Sequence, residues 1–217
     1  MNDSTPLPLP TAEIVQAAAP ALPAYRGLAL NDVVLVESQA SADAAMLELL
    51  AADVLGFDSE SKPTFAKGEV STGPHLIQLA TDTKAYLFQT WRPFGMDGVK
   101  AVLESAAILK VGFGLDGDKH LLLVRFGIAL TNTLDLARAL REETEKNTIG
   151  ARTAVARCFG QKLQKSRRIS TSNWARSQLN DRQLLYAADD AHVALRIFRA
   201  TIARGVKFPI VNETTTT

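Results

Sequence analysis

Patterns typical of strands and helices alternate along the chain between residues 33 and 205, and this order limits the possible folds more than any single motif. Strands are predicted at 33–37, 54–61, 75–81, 84–89 and 107–114. Helices are predicted at 41–53, 97–105, 116–127, 133–143, 148–160 and 180–205. Because only a short turn around Asp82 separates 75–81 from 84–89, these two strands should form an antiparallel hairpin. We therefore predict an α/β domain with a mixed five- to six-stranded sheet, flanked by helices and followed by a mainly helical C-terminal half.

The ends of three helices carry clear sequence signals. Ser41 is predicted to cap the helix that follows it, and Asn180 with Gln183 fits a capping box at the start of the last helix. Gly127 and Gly205 fit the position just after a helix, where a left-handed backbone is common.

The chain divides into three parts by composition. Residues 1–28 are rich in Pro and Ala and are predicted to be an extended arm, residues 29–206 the folded domain, and residues 207–217 a tail. The single cysteine, Cys158, excludes an intrachain disulfide, and the net charge of +1 neither demands nor excludes a polyanionic partner. No apolar run reaches the length of a membrane span, and the start lacks the basic residues of a secretory signal, which predicts a cytoplasmic protein without membrane contact.

The strand "VLGFDSES" at 54–61 begins as a buried segment and ends with two acids. Side chains two residues apart on a strand project to the same face, so Asp58 and Glu60 should lie ~6.7 Å apart. At an effective dielectric constant of ~20, two unit charges at that distance repel by ~2.5 kcal/mol. Either the strand ends in water, which is the simpler interpretation, or a cation offsets the repulsion.

A second pair of acids, Asp116 and Asp118, follows the strand "AILKVGFG" and precedes a helix. Open α/β sheets place their sites at such strand-to-helix junctions. An Asp near a helix N-terminus is also favoured by capping and by the helix dipole, which accounts readily for one of the two.

The last helix carries Tyr186 and Asp190, one turn apart on the stripe that continues through apolar residues into the core. A charged group on a core-facing stripe is a local violation of the pattern, and such violations tend to mark functional sites. Asp189 lies ~100° around the helix from Asp190 and is predicted to be a solvated surface charge. His192 is likewise predicted to lie at the surface.

Together these positions predict four acids in one pocket, which is electrostatically unfavourable without divalent cations. Hard oxygen ligands favour Mg²⁺ or Mn²⁺, and a ligand set of this size suggests two ions that clamp a phosphodiester.

At these residues the sequence resembles the DEDD-type 3′–5′ exonucleases, which have a ribonuclease-H-like fold. The likeness is strongest to the branch that contains ribonuclease D and the exonuclease domain of the Werner syndrome helicase. It spans about residues 30 to 204 and is carried by "GFDSES" with "HLIQLAT", "KVGFGLDGDKHLL", "RRISTSNWARSQL" and "LLYAADDAHVALRIF".

The resemblance implies a role for each acid. Asp58 and Glu60 match the first motif of the family, Asp118 rather than Asp116 the second, and Asp190 the third. Asp58 would bridge both metal ions, Glu60 and Asp190 would hold the ion that activates water, and Asp118 would support the second ion. Tyr186 would orient or help to deprotonate that water, which places the chain in the tyrosine subclass.

Substrate contacts are predicted from a basic segment. Nine Lys and Arg residues lie between Lys146 and Arg182 against a single acid, which suits backbone phosphates but also describes an ordinary solvated face. Lys165, Arg168 and Arg176 are the candidate phosphate ligands, and Phe65, in the loop 61–74, could wedge between terminal bases or simply anchor that loop. Trp174 is predicted to pack beneath the site.

The sequence therefore predicts a metal-dependent 3′–5′ exonuclease that acts on the 3′ end of single-stranded DNA or RNA through two Mg²⁺ or Mn²⁺ ions. Two alternatives remain: a nanoRNase that degrades very short RNA, and a nucleic-acid-binding module that has lost catalysis. The four acids and the tyrosine favour an enzyme over the second alternative. Protein partners are not indicated.

Overall fold

A computed structural model describes residues 21–64 and 68–208 and contains one mixed sheet in this part of the chain. Its six strands are β1 (Val33–Leu35), β2 (Val54–Glu60), β3 (Leu76–Ala80), β4 (Ala85–Gln89), β5 (Leu109–Gly112) and β6 (Thr133–Asp135). Their order across the sheet is β1-β4-β3-β2-β5-β6. The strands β2, β3 and β4 pair antiparallel, and the remaining neighbours pair parallel. The predicted fold class and the predicted hairpin are confirmed.

Helices cover both faces of this sheet. They are α1 (Gln39–Leu49), α2 (Met96–Glu104), α3 (Asp116–Phe126), α4 (Leu136–Ala139), α5 (Ala151–Phe159), α6 (Arg167–Ser170) and α7 (Asp181–Ala203). A short 3-10 helix, Leu30–Asp32, precedes β1. The four helices after β6 make the second half mainly helical, as predicted.

The two faces of the sheet differ in composition. Phe57 and Phe88 lie on the face that packs against α1, α2 and α3, in a cluster of large aliphatic and aromatic side chains. On the other face, alanines of α7 such as Ala187 and Ala191 lie against the strands. Small residues on both sides of a contact allow a helix to lie close to a sheet.

Gly56 shows how close α7 lies to β2. A Cβ atom at this glycine would be 2.0 Å from the backbone oxygen of Ala191, which is far inside van der Waals contact. The glycine is therefore required by the approach of the helix backbone, and this approach brings Asp190 beside the end of β2.

Helix ends agree with the sequence at three of four positions. Asn180 and Gln183 form the capping box of α7, and Gly127 and Gly205 have positive φ angles of 61° and 82°. The prediction for Ser41 was wrong. Ser38 is the N-cap of α1, and Ser41 is the N3 residue of its capping box.

The predicted helix at 133–143 was also wrong in part. Thr133–Asp135 pairs parallel with β5 as the edge strand β6, and only Leu136–Ala139 is helical. The Asp135 side chain accepts a hydrogen bond from the Ala137 amide, so it caps the helix and ends the strand. The β-branched Thr133 fits a strand. Because residues 133–135 belong to β6, the helix can begin only at Leu136.

Asp189 and His192 are not the surface residues that the helical phase predicted. Asp189 is half-buried and accepts a hydrogen bond from the Leu28 amide, because residues 27–28 pass over this side of α7. His192 is only 2% exposed, and its Nε2 lies 3.2 Å from the carbonyl oxygen of Asp82 in the hairpin turn. Both corrections have one cause: neighbouring segments cover parts of α7 that a single amphipathic stripe would leave in water.

The described part of the predicted N-terminal arm is docked. Tyr25 donates its backbone amide to the carbonyl of Lys162 at 3.0 Å, and its ring lies 5.9 Å from that of Phe159. Residues 1–20 and 209–217, which hold most of the predicted arm and tail, lie outside the described residues. In the described part of the chain, no helix has the length and apolar character needed to cross a membrane.

Candidate functional site

The C-terminal half of β2 presents two carboxylates to α7. Gly56, Asp58 and Glu60 alternate along the strand and share one face, and Gly56 faces the α7 backbone. Asp58 pairs with Gln78 and Glu60 with Leu76 on the neighbouring strand β3. The strand is fully buried up to Phe57 and half-buried from Asp58 onward, so the acids lie where the core opens.

Asp118 reaches the site from the first turn of α3. Its carboxylate accepts a short hydrogen bond from the Ser59 hydroxyl, which ties α3 to the end of β2. Asp116 instead lies at the surface, 65% exposed, in an ion pair with Arg138. Of the two acids at this junction, only Asp118 joins the cluster.

Asp190 completes the group from α7. It is 7% exposed, and its Oδ1 lies 2.9 Å from the Nζ of Lys165. The structure thus brings together all four predicted acids, from β2, α3 and α7, and places a lysine ammonium beside them.

The pKa values of Asp58 and Glu60 show that neighbouring carboxylates of the cluster act on these two groups in addition to burial. Burial raises the pKa of Glu60 to about 9, and the Asp58 and Asp190 carboxylates add to that rise. Burial also raises the pKa of Asp58 well above its ordinary value, again with contributions from Asp190 and Asp118. For Asp118, burial raises the pKa to about 6.

Lysine 165 offsets only part of this repulsion. Burial raises the pKa of Asp190, whereas Lys165 and the Tyr186 hydroxyl lower it. Burial alone would lower the pKa of Lys165, but the surrounding carboxylates raise it overall, so its ammonium remains charged. One ammonium beside four carboxyl groups leaves the cluster with less positive charge than its ionised acids would need.

The carboxylate oxygens of these four acids are chemically suited to bind divalent cations. Carboxylate oxygens are hard ligands, and raised pKa values mean that the ionised acids lack the charge partner that a cation supplies. Within residues 21–64 and 68–208, no three Asp, Glu, His or Cys side chains are already arranged to hold one ion. A cation held by these acids would therefore require their side chains to adjust from the present arrangement, in which Asp190 pairs with Lys165.

These pKa values predict how the stability of the metal-free protein depends on pH. Glu60 binds its proton more tightly in the folded state than in the unfolded state, where its pKa is about 4.5. Stability from this group is therefore complete below about pH 4.5 and is lost as the pH rises toward about 9. We expect the Tm to fall between pH 6 and pH 8.5 and Mn²⁺ to raise it more at pH 8.5. Glu60→Gln should flatten the metal-free profile, and an unchanged slope in that variant would contradict the assignment.

Tyr186 lies one turn before Asp190, on the same side of α7. Burial raises the pKa of its hydroxyl, and Asp190 and Glu60 raise it further, so the phenol stays protonated. The ring is 6.1 Å from the Trp174 ring and 5.8 Å from the Nζ of Lys165. Trp174 is fully buried and donates its indole N–H to the Ser170 carbonyl, which agrees with its predicted packing role.

The other predicted basic substrate-binding residues are not among the buried groups of the site. Arg168 and Arg176 are exposed and form no ion pair with the residues that the structure describes. The backbone carbonyl of Arg176 accepts a hydrogen bond from Gln89, which fixes that segment against β4. Phe65 lies outside the described residues.

Two residues next to the four acids were not predicted from the sequence. The Ser59 side chain projects to the opposite face of β2 from Asp58, yet its hydroxyl donates a hydrogen bond to Asp118 in the first turn of α3. Gln78 is a polar residue inside the apolar strand pattern "HLIQLAT", and this break in the apolar pattern was the sequence signal that could have identified it.

Comparisons with known proteins agree on one family. A family model described as 3′–5′ exonuclease matches residues 33–201. The bifunctional 3′–5′ exonuclease/ATP-dependent helicase WRN of Mus musculus is 32% identical over 149 residues, which is 68% of this chain and 11% of that protein. The chain therefore spans a small part of that relative.

Solved structures give the same result for the fold. The EXO domain of Nibbler from Aedes aegypti superposes with a TM-score of 0.65 at 27% identity, covering 80% of this chain and 88% of that domain. Ribonuclease D of Trypanosoma brucei, solved with RNA U12, has a TM-score of 0.68 at 17% identity, covering 85% of this chain and 74% of that one. Four acids converge on this fold, and the family model matches more than half of the length of the chain. The chain therefore belongs to the 3′–5′ exonuclease family.

Proposed function

We propose that this protein is a metal-dependent 3′–5′ exonuclease that hydrolyses the terminal phosphodiester of single-stranded DNA or RNA. The observation that carries the proposal is the convergence of four acids from three elements into one cluster that lacks enough positive charge to balance them. These acids are Asp58, Glu60, Asp118 and Asp190. The family match favours a nucleic acid as the substrate, and the excess of carboxylates favours cations as cofactors.

Four carboxylates suit a pair of Mg²⁺ or Mn²⁺ ions. When bound, such ions supply an activated water and neutralise charge on the scissile phosphate. Asp58 would contribute to holding these ions together with Asp118 and Asp190, since both of those carboxylates raise its pKa. Glu60 and Asp190 would hold one ion, and Asp118, fixed by Ser59, would support the other.

Tyr186 and Lys165 act on the substrate side of this cluster. A phenol with a raised pKa donates a hydrogen bond at neutral pH, so Tyr186 is suited to orienting the attacking water rather than to accepting its proton. Lys165 neutralises Asp190 in the present arrangement, and once cations take over that role its ammonium is free to contact a phosphate. Exposed Arg168 and Arg176 would hold phosphates further along the strand.

The test is degradation of oligonucleotides labelled at the 5′ end, with matched single- and double-stranded DNA and RNA in Mg²⁺ or Mn²⁺. We expect a ladder that shortens from the 3′ end, abolished by EDTA and blocked by a 3′-terminal phosphorothioate of the resistant configuration. Internal cleavage, or hydrolysis that persists in EDTA, would refute the proposal.

Two further results would favour one of the alternatives over the proposed function. A nanoRNase would turn over dinucleotides well and stall on 20-mers, because a closed pocket excludes longer strands. Tight binding of a 3′-ended oligonucleotide with no cleavage in Mn²⁺ would indicate a module without catalysis. We expect turnover on the 20-mer.

A further inference from the structure

Gln78 is a fully buried polar residue without a partner. Its side chain is 0% exposed, and neither its Nε2 nor its Oε1 has a hydrogen-bond partner among the residues that the structure describes. Buried amides are nearly always hydrogen-bonded, because an unpaired donor and acceptor lose their interactions with water and gain nothing. The Gln78 amide therefore has an unused donor and an unused acceptor in the interior of the sheet.

The strand register places Gln78 next to Asp58. The two residues are direct partners in the antiparallel pair of β2 and β3, so their side chains project to the same face. Cβ atoms of such partners lie about 4.5 to 5.5 Å apart, which a glutamine amide spans easily. That shared face is the one that α7 covers, and it is where Asp190 approaches the end of β2.

Apart from Asp58, the residues directly beside Gln78 in the sheet are apolar, and the polar residues Glu60 and Gln89 lie only diagonally from it on the same face. Along β3 it lies between Leu76 and Ala80, and across β4 it pairs with Leu87. These three belong to the apolar clusters that pack against the alanines of α7. The Asp58 carboxylate is therefore the acceptor that the register places beside the Gln78 amide.

We infer that Gln78 is a positioning residue for the proposed metal site: when cations bind, its Nε2, which has no partner in the present conformation, would donate a hydrogen bond to the Asp58 carboxylate and hold it in the orientation that binds them. This inference rests on the proposed function, since it assumes that Asp58 is a metal ligand. An uncharged donor is suited to this role, because it orients a carboxylate without competing with a cation for its charge. In the present conformation the Asp58 carboxylate accepts only from the amide of Ser59, at 2.8 Å, among the hydrogen bonds of the described residues.

Leucine at position 78 tests the inference because it changes metal affinity and stability in opposite directions. Gln78→Leu removes an unpaired buried amide, so the Tm of the metal-free protein should stay the same or rise. The same change removes the donor to Asp58, so the Kd for Mn²⁺, measured by calorimetry without substrate, should increase at least fivefold. Gln78→Met, an unbranched apolar variant, should give the same pair of results if leucine packs poorly.

Gln89 is the matched control on the adjacent strand. It is 2% exposed, but its Nε2 donates to the Arg176 carbonyl at 2.8 Å and its Oε1 accepts from Arg92. Gln89→Leu should therefore lower the Tm and leave the Kd for Mn²⁺ within twofold.

The outcomes distinguish this inference from the proposed function. A lower Tm with an unchanged Kd for Mn²⁺ in both Gln78 variants would show a purely structural role and overturn the inference. Wild-type protein that binds Mn²⁺ no better than Asp58→Asn would overturn the proposed function itself. Mn²⁺ binding by the wild type that weakens in the Gln78 variants, but not in Gln89→Leu, supports both.

Discussion

Replacing Asp190 with asparagine is expected to lower kcat for single-stranded 20-mers by at least about a thousandfold in Mg²⁺, equivalent to ~4 kcal/mol of transition-state stabilisation. Asparagine keeps the shape of the side chain but removes the negative charge that pairs with Lys165 at 2.9 Å. The variant should remain folded, because the loss of that pair is accompanied by relief of the repulsion that raises the pKa of Asp58. Initial rates on a labelled 20-mer and the Tm from circular dichroism measure the two effects.

The adjacent residue provides the control for this substitution. Asp189→Asn makes the same chemical change one position earlier, where the side chain accepts from the Leu28 amide on the other side of α7. An asparagine carbonyl can still accept that hydrogen bond, so activity should stay within about twofold of the wild type. Equal losses in the two variants would mean that the effect comes from the helix rather than from the carboxylate at 190.

Local sequence rules were sufficient for the elements whose signals are local. The turn around Asp82, the capping box of Asn180 with Gln183, and the glycine after α7 each depend on a few consecutive residues, and each is found as predicted. Local signals also predicted three acids of the candidate site, whereas only the family resemblance separated Asp118 from Asp116. A D-x-E pair at the end of a strand and an Asp on a buried helical stripe are both visible in short windows of sequence.

Features that depend on distant segments were missed. The burial of His192 is set by the hairpin turn, 110 residues away along the chain, and that of Asp189 by residues 27–28. The edge strand β6 forms only because β5 offers it a parallel partner. No window of sequence around Lys165 shows that its ammonium pairs with Asp190, since α6 and a loop intervene between them. Contacts of this kind require the tertiary arrangement.

Substitution of Gly56 with alanine is expected to damage both stability and catalysis, because this glycine sets the distance between β2 and α7. The added Cβ would lie 2.0 Å from the backbone oxygen of Ala191 and 2.8 Å from its carbonyl carbon. Backbone atoms cannot rotate away as a side-chain tip can, so α7 must shift. We expect a loss of roughly 3 kcal/mol in the free energy of unfolding, measured by urea denaturation.

The same shift carries Asp190 away from Asp58, and displacement of a catalytic group by about 1 Å can cost ~100-fold in rate. The loss of kcat in Gly56→Ala should therefore persist at temperatures where the variant is fully folded, which separates displacement of the acid from simple unfolding. Gly150→Ala is the control, since a Cβ at this N-cap of α5 meets no atom of the described residues within 4 Å. It should cost less than about 1 kcal/mol and leave kcat unchanged. If Gly56→Ala instead melted and cleaved like Gly150→Ala, the two backbones would have to lie farther apart in solution, and the convergence of acids on which the catalytic proposal depends would be wrong.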